Sequence, residues 1–253
     1  MPPFTYQLYS SRKFGPVEAV LRRVADLGFA RVEGYGALVE IPQAADSLAL
    51  ALEETGLTMP TAHIGLDQVE ETPALVISAA QTLGLETVVI PYLEDRPADA
   101  QGWSALGARV AHAADPLRAA GLTVGWHNHD FELVDLGGEQ RPLDLLLAAD
   151  PPLVLELDVG WVARAGLDPA AWVARHRSKL AAVHLKDVAA PGANGAEDGW
   201  ADLGHGTLDW PGIVAALGTT GVGHWVMEHD NPSDDVRFAA NSITAARAMN
   251  WGE

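Results

Sequence analysis

The chain has 253 residues, 48% of them hydrophobic, enough for a large buried core and too many for a chain that stays unfolded. Acidic side chains number 34 against 16 basic ones, a formal net charge of −18 that repels phosphate backbones and anionic bilayer surfaces and argues against nucleic-acid or membrane partners. There is no cysteine, which excludes disulfides, thiolate metal ligands and cysteine nucleophiles.

The opening MPPFTYQLYS lacks a basic segment followed by an apolar one, and no apolar run approaches the roughly 20 residues that span a bilayer. A cytoplasmic location is therefore expected. In chain order, β-like runs alternate with helix-like ones. Thr5–Leu8 reads as the first strand. Val17–Leu27 follows as a helix with an i, i+3, i+4, i+7 apolar stripe ending at Gly28. After the strand Ala30–Glu33, Asp46 or Ser47 is expected to cap a helix that runs to Thr55 and stops at Gly56. Further strands are expected at Thr58–His63, Thr87–Pro91, Thr123–His127 and Leu153–Leu157. Asp168-Pro169 opens the helix Ala170–His176, ahead of a strand at Ala181–Leu185. A long Gly-rich connection, Ala189–Leu208, carries Trp200 and His205, with Trp210 just beyond, and reads as a loop closing over a site. The strand Trp225–Glu228 comes next, and Ser233 is expected to open the last helix.

Eight β-then-α units in this length average about 32 residues each, the size of a parallel βαβ repeat. The expected fold is α/β, a single-domain (β/α)8 TIM barrel over residues 1–253. An open doubly wound sheet is the rival, but no Gly-x-Gly-x-x-Gly follows the first strand.

In such a barrel the site gathers at the C-terminal ends of the strands. Those ends carry Glu33, His63, Glu94, His127 to Asp130, Glu132, Glu156 with Asp158, His184 with Lys186 and Asp187, and Glu228 to Asp230. So many converging carboxylates would repel one another unless a cation sat among them. Glu132 to Asp158 is 26 residues, Asp158 to His184 again 26, and His184 to Glu228 is 44, one unit plus the long loop. The expected ligands of a divalent ion are thus Glu132, Asp158, His184 and Glu228, with His127 competing for the position of Glu132. One imidazole among carboxylates favours Mn²⁺, with Mg²⁺, Co²⁺ or Zn²⁺ as alternatives. Strand alternation turns Lys186 to the side of His184, where it is suited to polarise a carbonyl or hydroxyl.

At these residues the chain resembles the xylose-isomerase-like TIM barrels, the sugar phosphate isomerase/epimerase superfamily. The matching segments are Arg-Val-Glu-Gly-Tyr-Gly (31–36), Ala-His-Ile-Gly (62–65), Trp-His-Asn-His-Asp-Phe-Glu-Leu (126–133), Leu-Asp-Val-Gly-Trp (157–161), Val-His-Leu-Lys-Asp (183–187), Leu-Gly-His-Gly-Thr-Leu-Asp-Trp (203–210) and Met-Glu-His-Asp (227–230). The resemblance implies a metal-dependent isomerase or epimerase of a small keto-sugar or polyol-derived ketone, working by proton transfer through a metal-stabilised enediolate. It also implies a Glu/Asp/His/Glu-type site. Two residues depart from the pattern: His127 stands where several epimerases have Glu, and Trp161 where several relatives have His.

On this reading Glu228, Glu132 or His129 removes a proton next to the carbonyl, while His63 and Lys186 donate from the other side. Glu33, His127, Trp161, His205 and Asp187 are expected to contact the carbohydrate, with Trp161 stacking on a sugar face. Loss of a β-hydroxyl or β-glycosyl group would instead make the enzyme a lyase or dehydratase. A zinc-dependent endonuclease is disfavoured by the charge, and a catalytically inactive sugar-binding relative is the non-enzymatic alternative. A homo-oligomer is compatible with the sequence. No arginine cluster follows the seventh or eighth strand, so an unphosphorylated substrate is expected.

Overall fold

The computed structural model describes residues 3–251; positions 1, 2, 252 and 253 of the expected single domain lie outside the described residues. The strands are β1 (Phe4–Gln7), β2 (Arg31–Tyr35), β3 (Thr58–His63), β4 (Thr87–Ile90), β5 (Thr123–His127), β6 (Val154–Asp158), β7 (Leu180–His184), β8 (Asp187–Val188), β9 (Trp200–Ala201) and β10 (His224–Met227). Eight of them, all but β8 and β9, close into a parallel barrel in the order β1-β10-β7-β6-β5-β4-β3-β2. Each expected strand is present with its ends moved by no more than two residues.

The helices bury one face against this barrel. Val17–Asp26 turns Val20, Leu21 and Val24 inward, each such burial contributing about 1.5–3 kcal/mol. Two expected caps are displaced. The helix before Gly56 starts at Pro42, with Ile41 rather than Asp46 or Ser47 at its N-cap, because proline fits the first turn where no N–H partner is needed. Gly56 ends it with φ 69°, a left-handed conformation that favours glycine. The last helix, Asp235–Ala248, is capped by Asp234, which accepts from Arg237 N, and not by Ser233, whose backbone N–H is taken by Glu197 (2.7 Å). Asp168 caps Pro169–His176 as expected.

The long connection is more ordered than its glycines suggest. The two residues just before it, β8, pair with β9 in its middle as an antiparallel ribbon, and a 3-10 turn covers Gly195–Glu197. Asp187 organises it. Its buried carboxylate accepts from the backbone N–H groups of Val188, Gly204, Gly206 and Leu208 and from Trp210 Nε1 (2.7 Å). Glu197 ties the connection to the far side of the mouth through Ser233 and Arg237 (2.9 Å). Asp187→Asn removes charge from all five hydrogen bonds and is expected to cost about 2–4 kcal/mol, lowering Tm by roughly 5–15 °C. It should also open residues 189–208 to limited proteolysis. An unchanged melt and an unchanged cleavage pattern would show that this carboxylate does not hold the connection.

Candidate active site

The barrel registers bring the polar strand ends together. Gln7 lies beside Glu33, Tyr35 beside His63, His127 beside Glu156, and Asp158 beside His184. Alternation along β6 turns both Glu156 and Asp158 inward, and both are buried. Gly160 lets the following turn approach β7: a Cβ there would stand 2.8 Å from Lys186 O.

Two overlapping groups of possible ligands result, each with donor atoms within 4.8 Å of one another: His127, Asp158, His184 and Glu228, and His63, His127, Glu156 and His184. In the first, His184 Nδ1 is 2.9 Å from Glu228 Oε2 and 3.9 Å from Asp158 Oδ2, while His127 Nε2 is 4.0 Å from Asp158 Oδ2. In the second, Glu156 Oε2 lies 2.5 Å from His63 Nε2, 3.1 Å from His127 Nδ1 and 3.1 Å from His184 Nε2. Beneath both, Glu33 accepts from Gln7 Nε2 (2.7 Å), Thr61 Oγ1 (2.5 Å) and His184 Nε2 (2.8 Å).

Positive groups balance these carboxylates. Burial opposes charge on His184, but Glu156, Glu228 and Glu33 outweigh it and hold the imidazole well above its usual range. Burial likewise opposes charge on Lys186, yet Asp230 (2.5 Å), Glu228 (3.0 Å) and Asp158 (3.4 Å) keep it protonated. Burial favours a protonated Glu228, but Lys186 and His184 reverse this and drive it well below the carboxylate range. His127 is pushed down to about 3 by burial and then by His184, so it stays neutral and can act as a ligand. Asp158 is pushed up to about 6, chiefly by burial. Its Oδ2 is buried without a hydrogen-bond donor. This oxygen, 3.4 Å from Lys186 Nζ but accepting no hydrogen bond, faces two imidazoles within 4.0 Å and a second carboxylate, a donor set that fits a divalent cation.

Above the cluster lies a cavity of about 600 Å³ that His63, His127, His129, Glu228 and Asp230 help to line. His129 is pushed down to about 2 by burial and by His127, and its Nδ1 has no partner.

Other expected residues lie elsewhere. Glu132 is fully buried, but Oε1 accepts from Trp126 Nε1 (2.9 Å) and Oε2 from His129 N (2.8 Å); it braces the turn after β5, and His127 stands in the cluster instead. Burial pushes Glu132 up to about 8. Glu33 supports His184 from below without lining the cavity, and Asp187 is the hub of the loop. His205 and Glu94 are exposed and away from the cavity lining. Trp161 packs against Trp200 (4.8 Å between ring centroids) and His129 (5.1 Å), also off that lining. Glu156 is not among the expected site residues, although its two-residue spacing from Asp158 on one strand signals a shared face. Nor are Tyr9, Arg12 and Lys13, which follow the first strand as an aromatic and basic string.

A closed (β/α)8 barrel with an acid and imidazole cluster at the C-terminal strand ends defines the class. A family model for xylose isomerase-like TIM barrels matches residues 21–251, and the chain belongs to that family. A rhizopine catabolism protein of Rhizobium meliloti, MocC, is 25% identical over 210 residues, 70% of this chain; the match spans 63% of that relative, less than two thirds of its length. A sugar phosphate isomerase/epimerase from Parabacteroides distasonis superposes with a TM-score of 0.80 at 19% identity, covering 99% of both chains. The IOLI protein, in a crystal structure with a bound zinc atom, superposes with a TM-score of 0.72 at 13% identity, covering 96% of both chains. Among the described residues no helix is long and apolar enough to cross a membrane.

If His127, Asp158, His184 and Glu228 are the ligands, Asp158→Asn and Glu228→Gln should each weaken divalent metal binding at least about tenfold, by elemental analysis and titration. Glu132→Gln should retain it. Stoichiometric metal in both of the first two variants would defeat the assignment, and its loss in Glu132→Gln would return that residue to the site.

Proposed function

We propose that the protein is a metal-dependent isomerase or epimerase of a small keto-sugar or polyol-derived ketone. The observation that carries this reading is the set of four buried donor atoms, from His127, Asp158, His184 and Glu228, beneath a cavity of sugar size. A divalent ion held there supplies Lewis-acid stabilisation of charge on neighbouring carbonyl and hydroxyl oxygens. Two imidazoles and two carboxylates suit Mn²⁺, then Co²⁺ or Zn²⁺, and suit Mg²⁺ less.

The chain's own residues divide the remaining work. His129 and Glu228 both line the cavity and are the two candidate proton acceptors next to the substrate carbonyl. His63, fixed by Glu156 and also facing the cavity, holds a proton for the substrate oxygen. Lys186 is locked between Asp230 and Glu228 and keeps Glu228 ionised. Glu33 and Glu156 orient His184 from below. The same arrangement supports a second outcome, dehydration or elimination, because His127 contacts both the His63 ring (4.8 Å) and the His129 ring (5.1 Å). An acid and a base lining one cavity can assist departure of a β-hydroxyl as readily as reprotonation of carbon.

Incubation of the Mn²⁺-loaded protein in D₂O with a panel of keto-sugars and inososes, read by NMR, is expected to exchange the hydrogen beside the carbonyl of at least one compound. His129→Gln should slow that exchange by about 10²-fold or more. Exchange at the wild-type rate in both His129→Gln and Glu228→Gln would overturn the mechanism. Absence of exchange across the panel, with metal bound, would favour a non-catalytic sugar-binding relative.

A further inference from the structure

The mouth of the cavity carries a pair of cations that the mechanism above does not use. Arg12 and Lys13 follow the 3-10 turn Leu8–Ser11 after β1 and line the cavity with Tyr9, Tyr35 and Asn231. The half-buried guanidinium is held in place: Nη1 donates to the carbonyls of Tyr9 (2.9 Å) and Asp230 (2.8 Å), and the group lies 3.8 Å from the centroid of the Tyr9 ring. Among the described residues its Nε and Nη2 meet no protein acceptor. Lys13 Nζ donates only to Asn231 Oδ1 (2.8 Å). Among the described residues neither cation has a carboxylate within 4.0 Å, and the Asp230 carboxylate turns inward to Lys186.

Two adjacent cations without an acidic partner stand out on a chain with 34 acidic and only 16 basic side chains. A guanidinium fixed over an aromatic ring, with donors left over at a cavity wall, matches the geometry of a carboxylate or phosphate. The expectation of an unphosphorylated substrate looked only at the loops after the seventh and eighth barrel strands; these cations come from the loop after the first. We propose that Arg12, seconded by Lys13, binds an anionic substituent on the substrate, a carboxylate or a phosphate, so that the natural substrate is an acidic sugar derivative and not a neutral one. This rests on the reading of the cavity as the substrate site.

Calorimetric titration of the Mn²⁺-loaded protein with D-gluconate, D-glucose 6-phosphate and neutral D-glucose tests it. At least one anion is expected to bind about tenfold tighter than glucose, with the advantage shrinking as salt is added. Arg12→Gln should abolish the advantage, Lys13→Gln should reduce it, and Arg12→Lys should keep part of it. Arg12 also holds the Asp230 carbonyl, so exposed Lys13 is the variant that separates charge from folding. A phosphate preference should grow between pH 5 and 7 as its second proton leaves near 6, whereas a carboxylate preference should stay flat. Equal binding of all three probes, no binding of any, or a preference that survives both Gln variants would overturn the proposal. The metal stoichiometry of Asp158→Asn and Glu228→Gln reports on the site beneath independently of that result.

Discussion

Compensation of buried negative charge governs the centre of this barrel. Glu33, Glu156, Asp158 and Glu228 are all almost wholly removed from water, and each would cost several kcal/mol if left alone. His184 lies within 4.0 Å of all four and Lys186 of two, so these two residues at the end of β7 hold the acids together. Compensation is incomplete at Asp158 Oδ2 and Glu156 Oε1. Those two oxygens are buried without a hydrogen-bond partner.

The surrounding structure serves this arrangement. Gln7 and Thr61 close the floor on Glu33, so the lowest acid is saturated by donors and directs its remaining capacity to His184. Glu132 is spent on the turn after β5, where it fixes His129 and thereby the angle at which that imidazole meets the cavity. Asp187 and Glu197 convert a connection rich in glycine into a fixed wall. Trp200, pressed on Arg164 and near Lys186 (4.5 Å), screens the lysine from water on that side. Water exclusion strengthens every ion pair beneath it.

Membership of the xylose isomerase-like family accounts for the barrel and the position of the cluster, not for what distinguishes this chain. Those particulars include His127 in the cluster, Trp161 packed on Trp200 behind it, and the cations Arg12 and Lys13 at the cavity mouth. On the proposed reading, metal binding would reside at the strand ends and the choice of substrate in the loop after β1, a division that the architecture of these barrels allows.

The alternation of short β-branched runs with amphipathic stripes was enough to specify eight strands and the closed barrel, because periodicity is local and parallel strands need crossover helices. Asp158, His184 and Glu228 were legible for a related reason: residues at strand ends spaced by one repeat must converge in a barrel. The choice between Glu132 and His127 was not legible. His127 ends β5 and Glu132 follows it closely, and only the path of the 3-10 turn at Phe131–Leu133 swings Glu132 back under Trp126. The roles of Asp187 and His205 were equally hidden, since the ribbon β8–β9 and the loop around Asp187 are held by contacts between residues 12 to 23 positions apart. Spacing along the chain determines which strand ends meet; the direction each side chain takes there is decided by packing, which no local pattern encodes.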